Sequence, residues 1–329
     1  MSFRALRIRS DDGKVSAAIE QVERDELDSG EVAVRVAYSS VNYKDALAAT
    51  GAGRIIRRFP CIGGIDLAGT VDTSSDPRFK PGDAVIVTSY DLGVAHDGGY
   101  AQYARVPAAW VVPLPAGLSL FDSMAYGTAG YTAALAVVRM ETNGLAPANG
   151  PIVVSGASGG VGSIAVAILA KLGYQVVALT GKAHEAEYLR ALGAHKVLLR
   201  GDIDFAKIRP LERAEWAGGV DNLGGPVLAW MLAAAKQGAT IASVGLAATP
   251  DLQTTVMPLI LRGASLLGID SGYTPMSVRR EVWRRVATDM HIVDLGRIAT
   301  TIPLDALLAT FPRFIAGEAK GRIVVDLAR

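Results

Sequence analysis

The stretch Ser155-Gly156-Ala157-Ser158-Gly159-Gly160-Val161-Gly162 carries the clearest chemical signal in the chain. It leaves the apolar run Ile152-Val153-Val154 and enters a segment with helical spacing. Glycine at 159 permits a tight turn. Glycines at 160 and 162 permit close approach of backbone to ligand and of helix to strand. The N–H groups of Gly160 and Val161 then lie at the positive end of a helix dipole, a place suited to a pyrophosphate. Ala157 stands where a dinucleotide fingerprint usually opens with glycine, which works if the turn needs no positive φ there. Between a strand and a helix this pattern reads as a dinucleotide cradle, and the alternative is a glycine-rich connector with no ligand.

About 20 residues past such a loop, NAD-preferring sites place a carboxylate for the ribose 2′-hydroxyl. Here that place holds Thr180-Gly181-Lys182, with no acid. A hydroxyl and a lysine suit a 2′-phosphate, and Arg200, at the end of the next apolar run, reaches the same pocket as a bidentate partner. NADPH rather than NADH is therefore expected, with Ser158 to Val161, Thr180, Gly181, Lys182 and Arg200 as its contacts. Arg54, Arg57 and Arg58 form a second cationic cluster, suited to a phosphorylated ligand; the competing reading is a solvated charge run.

These groups need elements to hold them. Glu31 to Val36 alternates apolar and polar residues with period two, and Ile65–Val71 and Ala84–Thr88 are short apolar runs separated by turn formers. A further strand is expected from Gly98 through Val106, giving a β-rich first domain. From Pro151 the texture changes to alternating strands and helices. Val161, Ile164, Ala165, Ile168, Leu169 and Leu172 form one helical stripe, ended by Gly173. Strands follow at Gln175–Leu179, Lys196–Leu199, around Val220, at Thr240–Val244 and at Leu266–Ile269, with a helix through Glu185–Leu192. Such alternation implies a doubly wound parallel sheet, an α/β fold. A helix over Leu304–Ile315 and a strand over Arg322–Leu327 complete the chain.

The 33 Lys and Arg against 32 Asp and Glu leave no global basic field for nucleic acid. One cysteine, Cys61, rules out an internal disulfide and a multi-cysteine metal site. The longest apolar run, Ile164 to Ala170, falls far short of the roughly 20 residues a membrane span requires. Residues 1–6 lack the apolar core of a secretory signal, so a cytoplasmic protein with no membrane partner is expected.

Further motifs give the chain a resemblance along nearly its whole length. They are Val41-Asn42-Tyr43-Lys44-Asp45, Gly64-Ile65-Asp66-Leu67-Ala68-Gly69-Thr70-Val71, Lys80-Pro81-Gly82-Asp83, Gly127-Thr128-Ala129-Gly130-Tyr131-Thr132-Ala133 and Gly321-Arg322. With the glycine loop they resemble the medium-chain dehydrogenase/reductase superfamily. Together with Thr180-Gly181-Lys182 and Ile269-Asp270-Ser271 they are most similar to its acryloyl-CoA reductase branch, whose members are often labelled quinone oxidoreductases. The resemblance implies a GroES-like β-rich catalytic domain (1–125 plus 295–329) and a Rossmann NADPH-binding domain (126–294). It implies a zinc-free reductase, because Gly64-Ile65-Asp66 stands where the zinc branch has Gly-His-Glu, and the four histidines show no ligand spacing.

The reaction this resemblance implies is hydride transfer to the β-carbon of an α,β-unsaturated acyl-CoA. Tyr43 and Asp66 are the candidate catalytic residues, and the competing roles are a packed aromatic for Tyr43 and a structural hydrogen bond for Asp66. Tyr43 is expected in a loop against the nicotinamide. Leu246, Ile260, Ser271 and Lys320 are carried over as further cofactor contacts, with core packing as the alternative for the two apolar ones. Two other functions stay open: an NADPH:quinone oxidoreductase, and an NADPH-binding structural or regulatory protein with little turnover. A homodimer is expected, with Ser265-Leu266-Leu267-Gly268-Ile269 as an apolar edge needing cover.

Overall fold

The computed structural model of the chain describes residues 2–328. The first elements are β1 (Ser2–Asp11), β2 (Lys14–Glu23), β3 (Val32–Val41), α1 (Tyr43–Thr50), β4 (Cys61–Ile62), β5 (Asp66–Ser74), β6 (Ala84–Thr88), β7 (Tyr103–Val106) and β8 (Val112–Pro113). Helix α2 (Leu120–Thr142) leads to β9 (Ile152–Ser155), α3 (Gly160–Lys171), β10 (Val176–Thr180), α4 (Ala186–Ala191) and β11 (Lys196–Leu199). Then follow β12 (Trp216–Asp221), α5 (Gly225–Ala233), β13 (Ala235–Ser243), α6 (Met257–Arg262) and β14 (Ser265–Gly268). Last come α7 (Met276–Ala287), β15 (Ala299–Pro303), α8 (Leu307–Ile315) and β16 (Arg322–Asp326).

Two compact units emerge. The first gathers Met1–Thr128, Gly272–Ala287 and Asp294–Arg329; the second gathers Ala129–Ser271 and Thr288–Val293. Helix α7 thus belongs with the β-rich unit rather than with the parallel sheet it follows in sequence.

In the first unit β1 and β2 form a hairpin whose turn residues Asp12 and Gly13 have φ of 49° and 81°. Both central residues of a two-residue turn with the right twist need positive φ, and Asp-Gly is the pair that supplies it cheaply. The larger sheet runs β15-β16-β3-β5-β6-β8, with β7 also on β3. Alternate residues of β3 (Val32, Val34, Val36) are buried in the core that also takes Val85, Val87, Leu307 and Phe311. Strand β16 returns from the far end of the chain to pair antiparallel with β3, setting Ile323 opposite Val41.

The second unit is a six-stranded sheet in the order β11-β10-β9-β12-β13-β14, every pairing parallel. Its order reverses between β9 and β12, the switch point where open α/β sheets bind ligands at the strands' carboxyl ends. Helix α3 buries Ile164, Ala165, Ile168 and Leu169, and Gly173 follows it with φ of 84°. This is the anticipated α/β architecture, a β-rich unit and a Rossmann sheet.

One expected strand differs. Gly98-Gly99-Tyr100 is irregular, bent backbone, and the strand there is confined to Tyr103–Val106. A Cβ at Gly98 would sit 2.4 Å from the carbonyl oxygens of Gly63 and Gly64, so these glycines let two backbones touch rather than extend a ladder.

Candidate active site

In the second unit, β9 delivers the chain into the glycine loop and α3 begins at Gly160, with Gly159 as its N-cap residue. The left-handed turn is made by Gly156 (φ 56°), while Gly159 is extended (φ −77°, ψ 179°). The tight turn expected of Gly159 therefore falls three residues earlier. Ala157 lies outside the positive-φ set, so its methyl costs no strain. Gly162 has the packing role: a Cβ there would lie 2.3 Å from the Gly156 carbonyl oxygen. Only a glycine lets the first turn of α3 pass this close to the loop.

The residues expected beside this loop are brought together. The Ser158 and Thr180 hydroxyls are 3.4 Å apart, and the Thr180 hydroxyl accepts the Lys182 backbone N–H at 3.1 Å. The Arg200 guanidinium lies over Gly181, its Nη2 3.2 Å from where a Cβ would be. The hydroxyl pair and the arginine thus lie close to Thr180-Gly181, Lys182 follows next in the chain, and Thr180-Gly181-Lys182 holds no carboxylate.

One residue here escaped the sequence reading. Asn222, just past β12, donates from Nδ2 to the Ser155 carbonyl (2.6 Å), and its backbone N–H donates to the Ser155 hydroxyl (2.9 Å). Its Oδ1 is buried without a hydrogen-bond partner. A buried orphan acceptor is costly, so it marks a place where a ligand donor fits. The legible signal was Val220-Asp221-Asn222-Leu223-Gly224, a strand end closed by a turn. Its Asp221 side chain accepts from the Ser155 hydroxyl (2.6 Å) and the Gly224 N–H (2.8 Å). Burial raises the Asp221 pKa.

In the first unit Tyr43 is the first residue of α1 rather than a loop residue, and it is 44% exposed. Asn42 caps that helix and Asp45 completes a reciprocal capping box: Asp45 Oδ2 accepts the Asn42 backbone N–H at 2.9 Å. Asp45 Oδ1 accepts the Ile65 N–H at 3.0 Å. Asp66, fully buried at the start of β5, accepts from Ser40 Oγ (2.6 Å), Asn42 Nδ2 (2.7 Å), the Thr128 N–H (2.9 Å) and Thr128 Oγ1 (2.5 Å). Gly127 makes room for it; a Cβ there would stand 2.7 Å from Asp66 Oδ2.

Arg322, on β16, neutralises this pocket from within. It is 2% exposed and donates to the carbonyls of Ala125 and Val41, to Asn42 Oδ1 and to Ser40 Oγ, with Nη2 3.9 Å from Asp66 Oδ2. Burial, followed by the Asp66 charge, pushes the Asp45 carboxyl up to about 7. Burial lowers the Arg322 pKa and raises that of the Tyr100 phenol, whose hydroxyl donates to the Ser40 carbonyl. The sequence reading singled out Asp66 and noted Asp45; it missed the Asn42 bridge between them and the burial of Arg322.

The other expected residues are placed as follows. Arg57 is engaged by Asp91 and by the Tyr273 hydroxyl, and Arg58 by Asp28, so both cations are locally balanced. Arg54 is exposed, with no ion pair among the described residues. Leu246, three residues beyond β13 rather than at its end, is 64% exposed, and Ile260, on α6, is 71% exposed. Core packing is thereby excluded for both. Ser271 follows β14, and Lys320 precedes β16. Among the described residues no group of three or more His, Cys, Asp or Glu side chains is arranged to hold a metal ion, and no helix is long and apolar enough to cross a membrane.

Comparison with known proteins agrees with this geometry. Residues 28–116 match the alcohol dehydrogenase GroES-like domain, and residues 160–288 match the family described as zinc-binding dehydrogenase. The chain is 47% identical to acrylyl-CoA reductase AcuI of Ruegeria pomeroyi, covering 99% of each chain. It is 46% identical to the putative quinone oxidoreductase YhfP of Bacillus subtilis, again over 99% of each; the structure of YhfP with NAD bound superposes with a TM-score of 0.96. The YhdH oxidoreductase of Salmonella enterica in complex with NADP is 47% identical with a TM-score of 0.96, over 98% of this chain and 99% of that one. With two family models on its two units and near-half identity end to end, the chain belongs to the medium-chain dehydrogenase/reductase superfamily, beside the acrylyl-CoA reductases and YhfP-like oxidoreductases.

Proposed function

We propose that this chain uses NADPH to reduce the carbon–carbon double bond of an α,β-unsaturated acyl-CoA, taking acryloyl-CoA to propanoyl-CoA. Whole-length similarity to an acrylyl-CoA reductase carries the reading. The second unit fits the cofactor's phosphates. The N–H groups at the start of α3 suit the pyrophosphate, and Ser158, Thr180, Gly181, Lys182 and Arg200 suit the 2′-phosphate. NADP in the Salmonella relative supports this choice; the NAD bound to YhfP marks the competing one. Asn222 Oδ1 is a further acceptor for a donor of the bound dinucleotide. Tyr43, Leu246, Ile260, Ser271 and Lys320 complete the proposed contacts.

When bound, NADPH supplies the hydride. The chain's own residues do the rest. Addition of hydride at the β-carbon leaves an enolate on the thioester oxygen, and an exposed phenol such as Tyr43, held at the fixed start of α1, is suited to donate to that oxygen. Asp66, through its bonds to Asn42, fixes where α1 begins. Arg54 is the cation of the cluster most available to a CoA phosphate, since Arg57 and Arg58 already serve Asp91 and Asp28. A homodimer and a cytoplasmic address belong to the same proposal.

A second reading, reduction of a quinone, is favoured by the similarity to YhfP. Following NADPH absorbance with acryloyl-CoA and, separately, with benzoquinone decides between them. Rapid oxidation with the thioester and a slow response to the quinone is the expected result. The reverse order, or no turnover with either, overturns the acyl-CoA reading.

A further inference from the structure

In the second unit the carboxyl ends of β9, β12 and β13 are tied together at one place. Asp221 ends β12, and its carboxylate accepts from the Ser155 hydroxyl at the end of β9 and from the N–H groups of Leu223 (3.2 Å) and Gly224 (2.8 Å). Its carbonyl accepts the N–H groups of Val244 (2.8 Å) and Gly245 (3.1 Å), the residues that leave β13. Asn222 repeats the pattern. Its Nδ2 donates to the Ser155 carbonyl (2.6 Å), and its own carbonyl accepts the Ala247 N–H (3.2 Å). The Leu223 carbonyl then takes the N–H groups of Ala248 (3.0 Å) and Thr249 (3.3 Å). Residues 244–249 belong to no helix or strand, so these bonds are what hold them. A Cβ at Gly245 would stand 2.6 Å from the Asn222 carbonyl oxygen. The loop therefore lies directly on Asn222, and Asn222 is fastened to the residue that opens the glycine loop.

The amide makes this tie at a cost. Asn222 Oδ1 is buried with no hydrogen-bond partner among the described residues. Turning the amide over would set an oxygen against the Ser155 carbonyl oxygen. The chain thus keeps the Nδ2 bond and leaves Oδ1 unpaired, a penalty that a residue serving only to fill space would avoid.

We propose that Asn222 is a positioning residue for the nicotinamide half of NADPH, holding residues 244–249 in the frame of the glycine loop. The proposal deepens the cofactor reading above and rests on it. Under that reading the pyrophosphate sits at the start of α3, which follows β9, and the 2′-phosphate sits at the ends of β10 and β11. In the order β11-β10-β9-β12-β13-β14 the adenine half therefore takes one side of β9. The rest of the molecule is left with the β12 and β13 side, as a dinucleotide bound across a switch point requires. That side is the Asp221–Asn222 turn and the loop that presents Leu246, 64% exposed. A loop that slips relative to the glycine loop misplaces the nicotinamide while the phosphates stay gripped. Asn222 prevents the slip, acting through the loop rather than on the reacting atoms.

Two variants test the tie from its two sides. Asn222→Leu removes the amide, stays close to it in shape and adds no charge. Gly245→Ala leaves the amide in place and lifts the loop off Asn222. Calorimetry on the full chain measures NADPH and, separately, adenosine 2′,5′-bisphosphate, which carries the adenine half and no nicotinamide. Each variant is expected to bind NADPH about tenfold more weakly, the worth of one hydrogen bond, and the bisphosphate as wild type does. The double variant should bind NADPH no more weakly than the weaker single one, because both changes break the same tie. Equal losses for both ligands, or no loss for NADPH, overturn the proposal, since a residue that merely supports the fold does not tell the two halves apart. Additive losses in the double variant overturn it as well. If Gly245→Ala fails to fold, the split between the two ligands in Asn222→Leu decides alone. Wild type that binds neither ligand overturns the cofactor reading instead, and is told apart because no variant is needed to see it.

Discussion

At the scale of single residues, charge decides which cofactor is held. Lys182 follows Thr180 past the end of β10 and the Arg200 guanidinium lies over Gly181, and a carboxylate in that place would repel a 2′-phosphate and favour a ribose hydroxyl. Lys182→Asp is therefore expected to weaken NADPH by one to two decades, the loss of one charge-assisted contact of roughly 1.5–3 kcal/mol. NADH should tighten or stay level. Fluorescence titration of both nucleotides measures this, and an unchanged preference would remove the 2′-phosphate assignment. This expectation could be formed from the sequence because it needs only a β-strand end and a fixed spacing. The Arg54-Arg57-Arg58 cluster was legible as charge, yet its partners were not: Asp28 and Asp91 lie about 30 residues away in the chain, and only the fold brings them to Arg58 and Arg57.

At the scale of elements, α1 depends on a carboxyl that burial makes hard to ionise. Asp45 closes the capping box and holds the Ile65 N–H, with its pKa raised from 3.8 to about 7. The unfolded chain loses this proton near the ordinary value and the folded chain keeps it, so the unfolded state binds fewer protons between those limits. Stability then falls as pH rises from about 4 to about 7, at no more than roughly 1.4 kcal/mol per unit from this group, and levels off above. Asp76 and Glu212, both held near 2 by arginines, act in the opposite sense, Asp76 below that window and Glu212 up to about its lower edge. Denaturant unfolding across the window should show a steeper decline in wild type than in Asp45→Asn, and parallel curves would refute the assignment. Elements that follow a simple period were legible, such as Lys196–Leu199 and Ala84–Thr88, both found with their expected bounds. The β1–β2 hairpin had a local signal, Asp12-Gly13, that the sequence reading passed over. Helix α7 was hidden by chemistry: its buried stripe is Arg279, Val282, Trp283 and Val286, and an arginine on the inner face reads as an outer one.

At the scale of the whole molecule, an edge remains. Strand β14 ends the six-stranded sheet and pairs only with β13 among the described strands, so its outer backbone groups are left for another partner. Beside it α6 and its approach expose Val256, Met257, Leu259 and Leu261, a run of apolar side chains that a lone monomer has no reason to present. A second copy of the chain, meeting this edge about a two-fold axis, would extend the ladder and cover the patch. Light scattering should give twice the chain mass for wild type at micromolar concentration. Val256→Glu with Leu261→Glu should give the single-chain mass, because two carboxylates facing their own symmetry copies would be buried unpaired. Both side chains are more than half exposed in the single chain, so its thermal midpoint should lose only what association contributed. A wild-type protein that remains monomeric at concentrations well above its working range would mean that the exposed run on α6 serves something other than self-association.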